Sequence, residues 1–449
     1  MNPFLRRRIF EPLSAWRNDS SKLRYWKELE KSQYLTEKEL RSIQWSRLKD
    51  LLRIAYERNE YYRKRFQSVG VTPEDIRNAT ELKILPILTK RELRENINEM
   101  ITEDYHLDRL MKFKTGGSTG KPLDLYITEE CSELRNACAR RHDRWSGWEV
   151  GEPVGSLWGN TSGPRGIKET LKWHLLEPYI VLDTMHMDGE AVKRFAREWK
   201  KVRPTLLFGH AHSIYLLSRY VEELSLDEIR PRGIISTSMT LLPHERKHIE
   251  NTFGNIVFDR YGCEEVSLIG SECEAHDGMH MNVEHLYIEF EGRTGMGIDV
   301  TSEPQPSGII VTDLMNFAMP LIRYAVEDMG ICRNRMCRCG RGLPLMDGVV
   351  GRVADFLIKA DGTQVAGISL IENTLTKYPG LDQMQIVQEE VSWFRILLVT
   401  GAVYREETGM GLVRYFQSIF GEVKIDLEFV ESIPRERNGK YRFSKCNVH

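Results

Sequence analysis

The sequence predicts an α/β protein, with a large N-terminal domain of parallel and mixed sheets followed by a small C-terminal α+β domain. Three observations carry that reading. Between residues 205 and 262, short apolar runs alternate with segments whose apolar residues recur at helical spacing, the pattern of parallel strands joined by crossovers. After Gly351 this alternation gives way to hairpins and single helices. The chain has 449 residues, 41% of them hydrophobic, which exceeds one average domain and supplies a sizeable core.

Taken in order, residues 1–105 read as a mostly helical, charged region of the large domain, 106–350 as its core, and 351–449 as the small domain. Met1 to Phe10 carries Arg6-Arg7-Arg8 and then meets charge, not an apolar stretch. That is not a secretory signal, and a solvated helix end is expected there rather than a membrane contact. In Leu48 to Tyr56 the apolar residues recur at helical spacing, and Asn59-Glu60-Tyr61-Tyr62 closes the segment. Pro73 and Pro86 punctuate the next stretch of chain, and Thr89, with Glu92 three residues on, reads as a helix cap. A packing role suffices for this region.

The stretch richest in chemistry is Thr115-Gly116-Gly117-Ser118-Thr119-Gly120-Lys121-Pro122. Glycines let backbone N–H groups approach an anion, hydroxyls add donors, and lysine adds a point charge, so Thr115 to Lys121 are candidate phosphate ligands. The plainer alternative is an ordinary Gly-rich turn. Leu110 to Lys114 before the loop and Leu123 to Thr128 after it both alternate in polarity, so the loop joins a β-hairpin. A Walker A loop opens a helix and has Ser or Thr after its lysine. Here Thr115 stands at the first glycine position, Pro122 follows Lys121 and a strand comes next, which disfavours kinase-like and GTPase-like readings.

Glu129 to Trp145 reads as a helix. Thr205 to Phe208 is a strand ending in Gly209-His210, and Ile214, Leu217, Val221 and Leu224 follow at helical spacing. Gly233 to Ile235 is a second strand, Pro243 opens another helix, and Ile256 to Phe258 is a third strand leading to Tyr261-Gly262. Ligands of such sheets lie beyond the strands' C-terminal ends. His210, Ser236–Met239 and Tyr261–Glu265 are thereby expected around one crevice. In the small domain a hairpin is expected around Asp361-Gly362, helices over Ser369–Tyr378 and Glu406–Phe420, a hairpin over 385–399 and a strand over Val423–Val430.

Lys+Arg 63 against Asp+Glu 65 leaves a net charge of -2, which offers no global field for nucleic acid or an anionic membrane. No apolar run approaches the length of a spanning helix. No Gly-x-Ser-x-Gly supports an α/β-hydrolase. Eight cysteines, unevenly spread without a secretory signal, argue for reduced thiols or metal ligands and for a cytoplasmic protein. Cys273-x6-His280 and Cys337-x-Cys339 supply four zinc-type ligands from two distant segments, with Cys332 or His276 as substitutes. Free thiols beside a surface histidine are the alternative. A closed Cys3His set would be structural.

The glycine-rich loop resembles the pyrophosphate-binding loop of the adenylate-forming superfamily, especially its phenylacetate–CoA ligase/CapK-like branch. Other motifs follow in family order along nearly the whole chain. Tyr261-Gly262-Cys263-Glu264-Glu265 resembles Tyr-Gly-x-[Ser/Thr]-Glu, which implies Tyr261 and Gly262 beside adenine and Glu265 holding Mg²⁺ against ATP. Glu264 replaces the usual hydroxyl, and Met239 stands where the family segment usually carries glutamate. Thr312-Asp313-Leu314 and Pro320 to Tyr324, with Asp328, resemble the ribose-binding block, where a carboxylate accepts from both hydroxyls. The resemblance implies Arg352 at ribose or phosphate and Asp355 at a hinge, with Ala354 in place of a frequent aspartate. Pro434 to Lys440 resembles the C-terminal motif whose lysine bridges the attacking carboxylate and the α-phosphate, which makes Lys440 the catalytic candidate. Some relatives hold a structural metal at positions corresponding to Cys273, His280, Cys337 and Cys339.

The resemblance implies a large adenylate-forming domain with a small lid domain that swings about Gly351–Asp355. It implies MgATP-dependent activation of a carboxylic acid, aryl or otherwise small, to an acyl-adenylate with release of pyrophosphate. Transfer to a thiol of CoA or a carrier protein follows. ATP, Mg²⁺, structural Zn²⁺ and CoA are the implied cofactors, and a homodimer is compatible with the reading. Two rivals stay open. One is an adenylyltransferase moving AMP to a hydroxyl or phosphate acceptor. The other, kept open by Met239, Glu264 and Ala354, is a nucleotide-binding protein without catalysis, such as one linked to polysaccharide biosynthesis. A zinc-dependent nucleic-acid protein is disfavoured by the neutral charge balance.

Overall fold

The computed structural model describes residues 2–448 apart from 115–122, 160–165, 177, 255, 292–306, 334, 351–354, 368–369, 372–373, 375–376 and 434–441. Helices Lys22–Ser32, Glu37–Arg58 and Glu60–Ser68 dominate the first seventy residues. Thr36 opens the second with a capping box to Glu39. Asn59 ends that helix, and its side chain accepts from the Tyr62 N–H to start the next one. The stretch expected to close a helical segment therefore begins another. Thr89 and Glu92 form the expected capping box, on helix Lys90–Glu95. Leu48, Leu51, Leu52 and Phe66 pack against Leu286, Ile288 and Val311 of the sheet, each buried side chain contributing about 1.5–3 kcal/mol.

β1 (Met111–Lys114) and β2 (Asp124–Ile127) pair antiparallel, as the alternation predicted. A single large sheet follows. Its strands are β3 (Val154–Trp158), β4 (Tyr179–Asp183), β5 (Leu206–His210), β6 (Gly233–Thr237), β7 (Val257–Cys263), β8 (Ser267–Glu272), β9 (Met279–Met281), β10 (Leu286–Phe290), β11 (Ser307–Asp313), β12 (Tyr324–Arg333) and β13 (Leu345–Val350). Their order is β10-β11-β12-β13-β9-β8-β7-β6-β5-β3-β4.

The sheet has two halves that meet at β7. From β4 to β7 every neighbour pair is parallel, and from β7 to β10 every pair is antiparallel. Leu206, Leu207, Ile234, Ile235 and Val257 in the parallel half are buried, which is why those strands read as plain apolar runs. The two outer strands β3 and β4 bury only alternate residues and carry no such run, so the sequence pattern did not single them out. The chain leaves β3 toward β4 on one side and β5 toward β6 on the other. A crevice opens at that point, beyond the C-terminal ends of the strands.

The last hundred residues carry the hairpin β14 (Phe356–Ile358) and β15 (Gln364–Ala366). They also carry a four-stranded sheet of β16 (Leu381–Glu390), β17 (Trp393–Thr400), β18 (Lys424–Phe429) and β19 (Ser444–Cys446), ordered β18-β17-β16-β19. Helix Glu406–Phe420 covers it, setting Leu412 and Phe416 among Phe394, Ile396 and Leu398. The helix expected over Ser369–Tyr378 lies partly outside the described residues. Met185, Ala211 and Met239 belong to the same apolar cluster as this module, and Arg219 donates to Gln364 Oε1 at 3.1 Å.

Candidate active site

A cavity of about 670 Å³ lies beyond the ends of β5, β6 and β7. Tyr261 and Gly262 line it from the last residues of β7, and Glu264 and Glu265 from the turn into β8. The pairing slips between Tyr261 and Gly262, a bulge that re-aims the strand end. Only glycine fits at 262, since a Cβ there would stand 2.4 Å from the Ser267 carbonyl oxygen. Asp328 faces this strand end from β12, and Tyr261 Oη donates to Asp328 Oδ2 at 3.0 Å. Phe113 and Lys114, where β1 meets the glycine-rich loop, also line the cavity. Thr115 to Lys121, Arg352, Ala354 and Lys440 lie outside the described residues.

Glu265 is buried, and its Oε1 accepts from Tyr324 Oη at 2.9 Å and stands 3.4 Å from Lys90 Nζ. Lys90 comes from the region read as packing alone. Leu88 lies beside β12, its N–H donating to Arg323 O at 2.8 Å and its carbonyl accepting from Ala325 N at 2.9 Å. That pairing carries Lys90, two residues on, into the cavity wall. Arg135 completes the frame, donating to the Glu265 carbonyl at 2.7 Å and to Asp313 Oδ2 at 2.8 Å. Sequence spacing held no sign of Lys90 or Arg135 because each reaches the site from a distant helix.

Asp259, two residues before Tyr261, lines the same cavity. Arg246 pairs bidentately with Glu272, both bonds at 2.8 Å, and Glu272 accepts from the Asp259 N–H at 3.0 Å. Burial and the adjacent Glu272 charge push Asp259 up to about 8, so at neutral pH it keeps a proton and can donate a hydrogen bond.

At the ends of β3 and β5, Trp158 stacks on Phe208 with centroids 5.7 Å apart and planes 4° from parallel. Both rings line the cavity, giving it an apolar aromatic wall. His210 sits behind this wall with its ring 4.1 Å from that of Trp158, and it is fully buried. His212 is also buried, its Nε2 3.1 Å from Glu245 Oε1. Burial pushes His212 down to about 4 and Glu245 up to about 7, so at mildly acidic pH the contact joins two neutral groups. Glu245 also accepts from the Leu242 N–H at 3.0 Å and so fixes the start of helix Pro243–Phe253. Met239 lines the cavity and is buried, next to Ser238 at φ +64°, while Glu264 is exposed on the rim.

A second cluster lies apart from the crevice. One ligand atom from each of Cys273, His280, Cys337 and Cys339 falls within 4.8 Å of all the others. Cys273 Sγ is 3.6 Å from Cys337 Sγ, and Cys339 Sγ is 3.3 Å from His280 Nε2. A tetrahedron with bonds of roughly 2.0–2.3 Å has edges near these lengths. His280 Nδ1 stands 3.1 Å from the Leu343 carbonyl oxygen, which can only accept, so the proton belongs on Nδ1 and the Nε2 lone pair faces the sulfurs. Backbone N–H groups of Ala275 and Arg341 donate to Cys273 Sγ and Cys339 Sγ at 3.5 and 3.4 Å. The donor set therefore fits zinc, and neither Cys332 nor His276 enters it.

Comparison with known proteins accords with both parts of the chain. Residues 357–447 match the family model of the CapK C-terminal domain. Protein CapK of Staphylococcus aureus is 24% identical over 420 residues, covering 91% of this chain and 90% of that protein. Phenylacetate-coenzyme A ligase of Thermus thermophilus is 26% identical, covering 72% of this chain and 73% of that one. These matches support the phenylacetate–CoA ligase/CapK-like branch of the adenylate-forming superfamily as the one this chain is similar to. The fold agrees: a 2-hydroxyisobutyryl-CoA ligase solved with 2-HIB-AMP and CoA superposes with a TM-score of 0.62 at 20% identity, covering 93% of this chain and 92% of that one. Among the described residues, the crevice motifs and the cysteine cluster are two separate sites. No described helix is long and apolar enough to cross a membrane.

Proposed function

We propose that the crevice activates a carboxylic acid with ATP and passes the acyl group to a thiol such as that of CoA. The observation that carries the reading is convergence. Tyr261 and Glu265, Asp328, and the flank of the glycine-rich loop come from three distant segments to one cavity, in a chain whose relatives include phenylacetate–CoA ligases.

In this reading Thr115 to Lys121 hold the β- and γ-phosphates. Tyr261 and Gly262 flank adenine, and Asp328, kept in place by Tyr261 Oη, grips the ribose with Arg352. The carboxylate of Glu265, oriented by Tyr324, is a hard oxygen donor of the kind Mg²⁺ takes alongside substrate phosphates. Mg²⁺ would supply charge neutralisation on those phosphates. The acid sits against Trp158 and Phe208, a flat apolar wall suited to an aryl or other small apolar acid. Its carboxylate oxygen attacks the α-phosphorus, the bond to the bridging oxygen breaks, and pyrophosphate leaves. Lys440, carried by a small domain beginning near residue 351, stabilises the charge built between the two anions. Cys273, His280, Cys337 and Cys339 hold a structural zinc, with four protein ligands and no open position.

The test is pyrophosphate release from MgATP across a panel of carboxylic acids, with the Lys440→Ala variant in parallel. Release that depends on one acid class and is lost in the variant is expected. Tight ATP binding with silence across the panel would sink acid activation. A second reading, AMP transfer to a hydroxyl or phosphate acceptor, stands beside it because Met239 on the cavity wall takes the place where the family segment usually carries glutamate. A stable adenylylated product, formed without any acid, would decide for it.

A further inference from the structure

Fifteen large hydrophobic side chains are exposed among the described residues, and five of them, Phe4, Leu5, Ile9, Leu13 and Trp16, fall within thirteen residues of one another. They share one helical run made of Pro3–Leu5, a π-helical stretch Arg6–Phe10, and Glu11–Arg17. The exposed positions form two rows at four-residue spacing, Phe4-Arg8-Pro12-Trp16 and Leu5-Ile9-Leu13-Arg17. An α-helix would rotate such a row by about 40° per step. The wider π turn reverses that drift, so both rows stay on one face.

The other face holds the helix down, and it does so with polar groups. Arg6 is buried and its Nη1 donates to the Gly151 carbonyl at 3.0 Å. Gly151, at φ +90°, allows the close approach, because a Cβ there would stand 2.8 Å from both Arg6 Cβ and the Pro3 carbonyl oxygen. Glu11 is buried between Lys22, at 3.1 Å, and Arg140. Arg7 pairs with Glu149 at 2.6 Å. A surface helix of a protein in water turns its apolar side inward. This one is pinned by ions and carries its apolar side outward.

We propose that this face seats on an anionic lipid bilayer, lying flat in the headgroup region. The rows include Arg8 and end at Arg17, both exposed and without an ion pair among the described residues. Arginines beside an apolar stripe reach lipid phosphates while the stripe enters the acyl boundary, and Trp16, 80% exposed, is a residue type that prefers that depth. Charge argues against a second copy as the occupant. The only acidic residue between Asn2 and Arg17 is Glu11, buried on the inner face, so two such faces would oppose arginines without partners. At about 22 Å the run is too short to span a bilayer. A basic triplet followed by charge reads as a solvated helix end, and the exposed stripe is what favours the membrane contact instead.

The test is co-sedimentation of the full chain with phosphatidylcholine vesicles, with and without phosphatidylglycerol. Binding to the anionic vesicles is expected, with at least about a tenfold fall in partitioning for Leu13→Asp. Arg8→Gln combined with Arg17→Gln should remove the preference for phosphatidylglycerol. Neither variant should alter pyrophosphate release, and the milder Leu13→Ala, at the same exposed position, guards against a folding defect. No binding by the unaltered chain, or equal binding by Leu13→Asp, would overturn the proposal. So would a solution dimer that Leu13→Asp splits, because the face would then belong to a second copy.

Discussion

The cysteine cluster and the crevice are both assembled from segments far apart in the chain, and they are built in opposite ways. The cluster closes on itself. Cys273, His280 and Cys337 are buried, their backbone and second-nitrogen contacts are satisfied, and four donors face inward. The crevice is open and lined with unlike groups, including a cation beside Glu265, a protonated Asp259 and an aromatic wall. A closed shell of like donors can fix chain segments but has no position left for a reactant. An open, mixed surface can take a reactant because its groups are held by their neighbours and face a cavity. If the cluster holds structure and the crevice holds chemistry, stability and chemistry should be separable, each broken alone.

The largest effect is expected at the cluster. The zinc would join the turn after β8 to the loop before β13, and Arg341 and Trp145 there both donate to Gln33 at 2.9 Å, tying in the N-terminal helices. Metal analysis should find one zinc per chain, and Cys337→Ser should lower the melting temperature by on the order of 10 °C or abolish folding. A chain that carries no metal yet melts unchanged in the variant would remove the structural role. Next in size, Lys440→Ala should cut acid-dependent pyrophosphate release by roughly 10²–10³-fold with little change in melting temperature. A variant that lost stability and activity together would blur the separation between the two regions. Smaller again, Asp328→Ala should raise the KM for ATP by about tenfold, and Tyr261→Phe by less, since it removes only the 3.0 Å bond that positions Asp328. Initial rates against ATP concentration check the ranking, and equal effects would argue that Tyr261 does more than position.

Much of the fold was legible in the sequence because local pattern carried it. The parallel strands from Thr205 onward and the β1–β2 hairpin were plain from burial on both faces or from strict alternation. The pairing of Cys273 and His280 with Cys337 and Cys339 was legible from ligand type alone. What escaped was anything that depended on how elements dock. Lys90 reads as an ordinary residue after a Thr cap, and only the pairing of Leu88 beside β12 brings it to Glu265. Asp259 reads as one more polar residue at a strand end, and only its burial and Glu272 across the pair β7–β8 make it a donor. The apolar face of the first helix was hidden because its four-residue repeat suits no regular α-helix.

The subtlest difference between the regions is in their protons. In the buried His212–Glu245 contact, Glu245 is raised from 4.5 to about 7 and His212 lowered from 6.5 to about 4, both by burial. The folded protein keeps the Glu245 proton that the unfolded chain gives up, so this group's contribution to stability falls as pH rises from about 4.5 to 7. The unfolded chain takes up a His212 proton that the folded one refuses, so that contribution rises with pH from about 4 to 6.5. Over the shared window the two slopes oppose each other and nearly cancel. Glu245→Gln should therefore leave His212 alone and make the melting temperature climb between pH 4.5 and 6.5 relative to the unaltered chain. His212→Asn should make it fall over the same interval. Each slope is bounded by about 1.4 kcal/mol per pH unit, a few degrees across the window. Thermal melts at three pH values decide the matter, and slopes of the same sign in the two variants would mean that burial does not move the two groups in opposite directions.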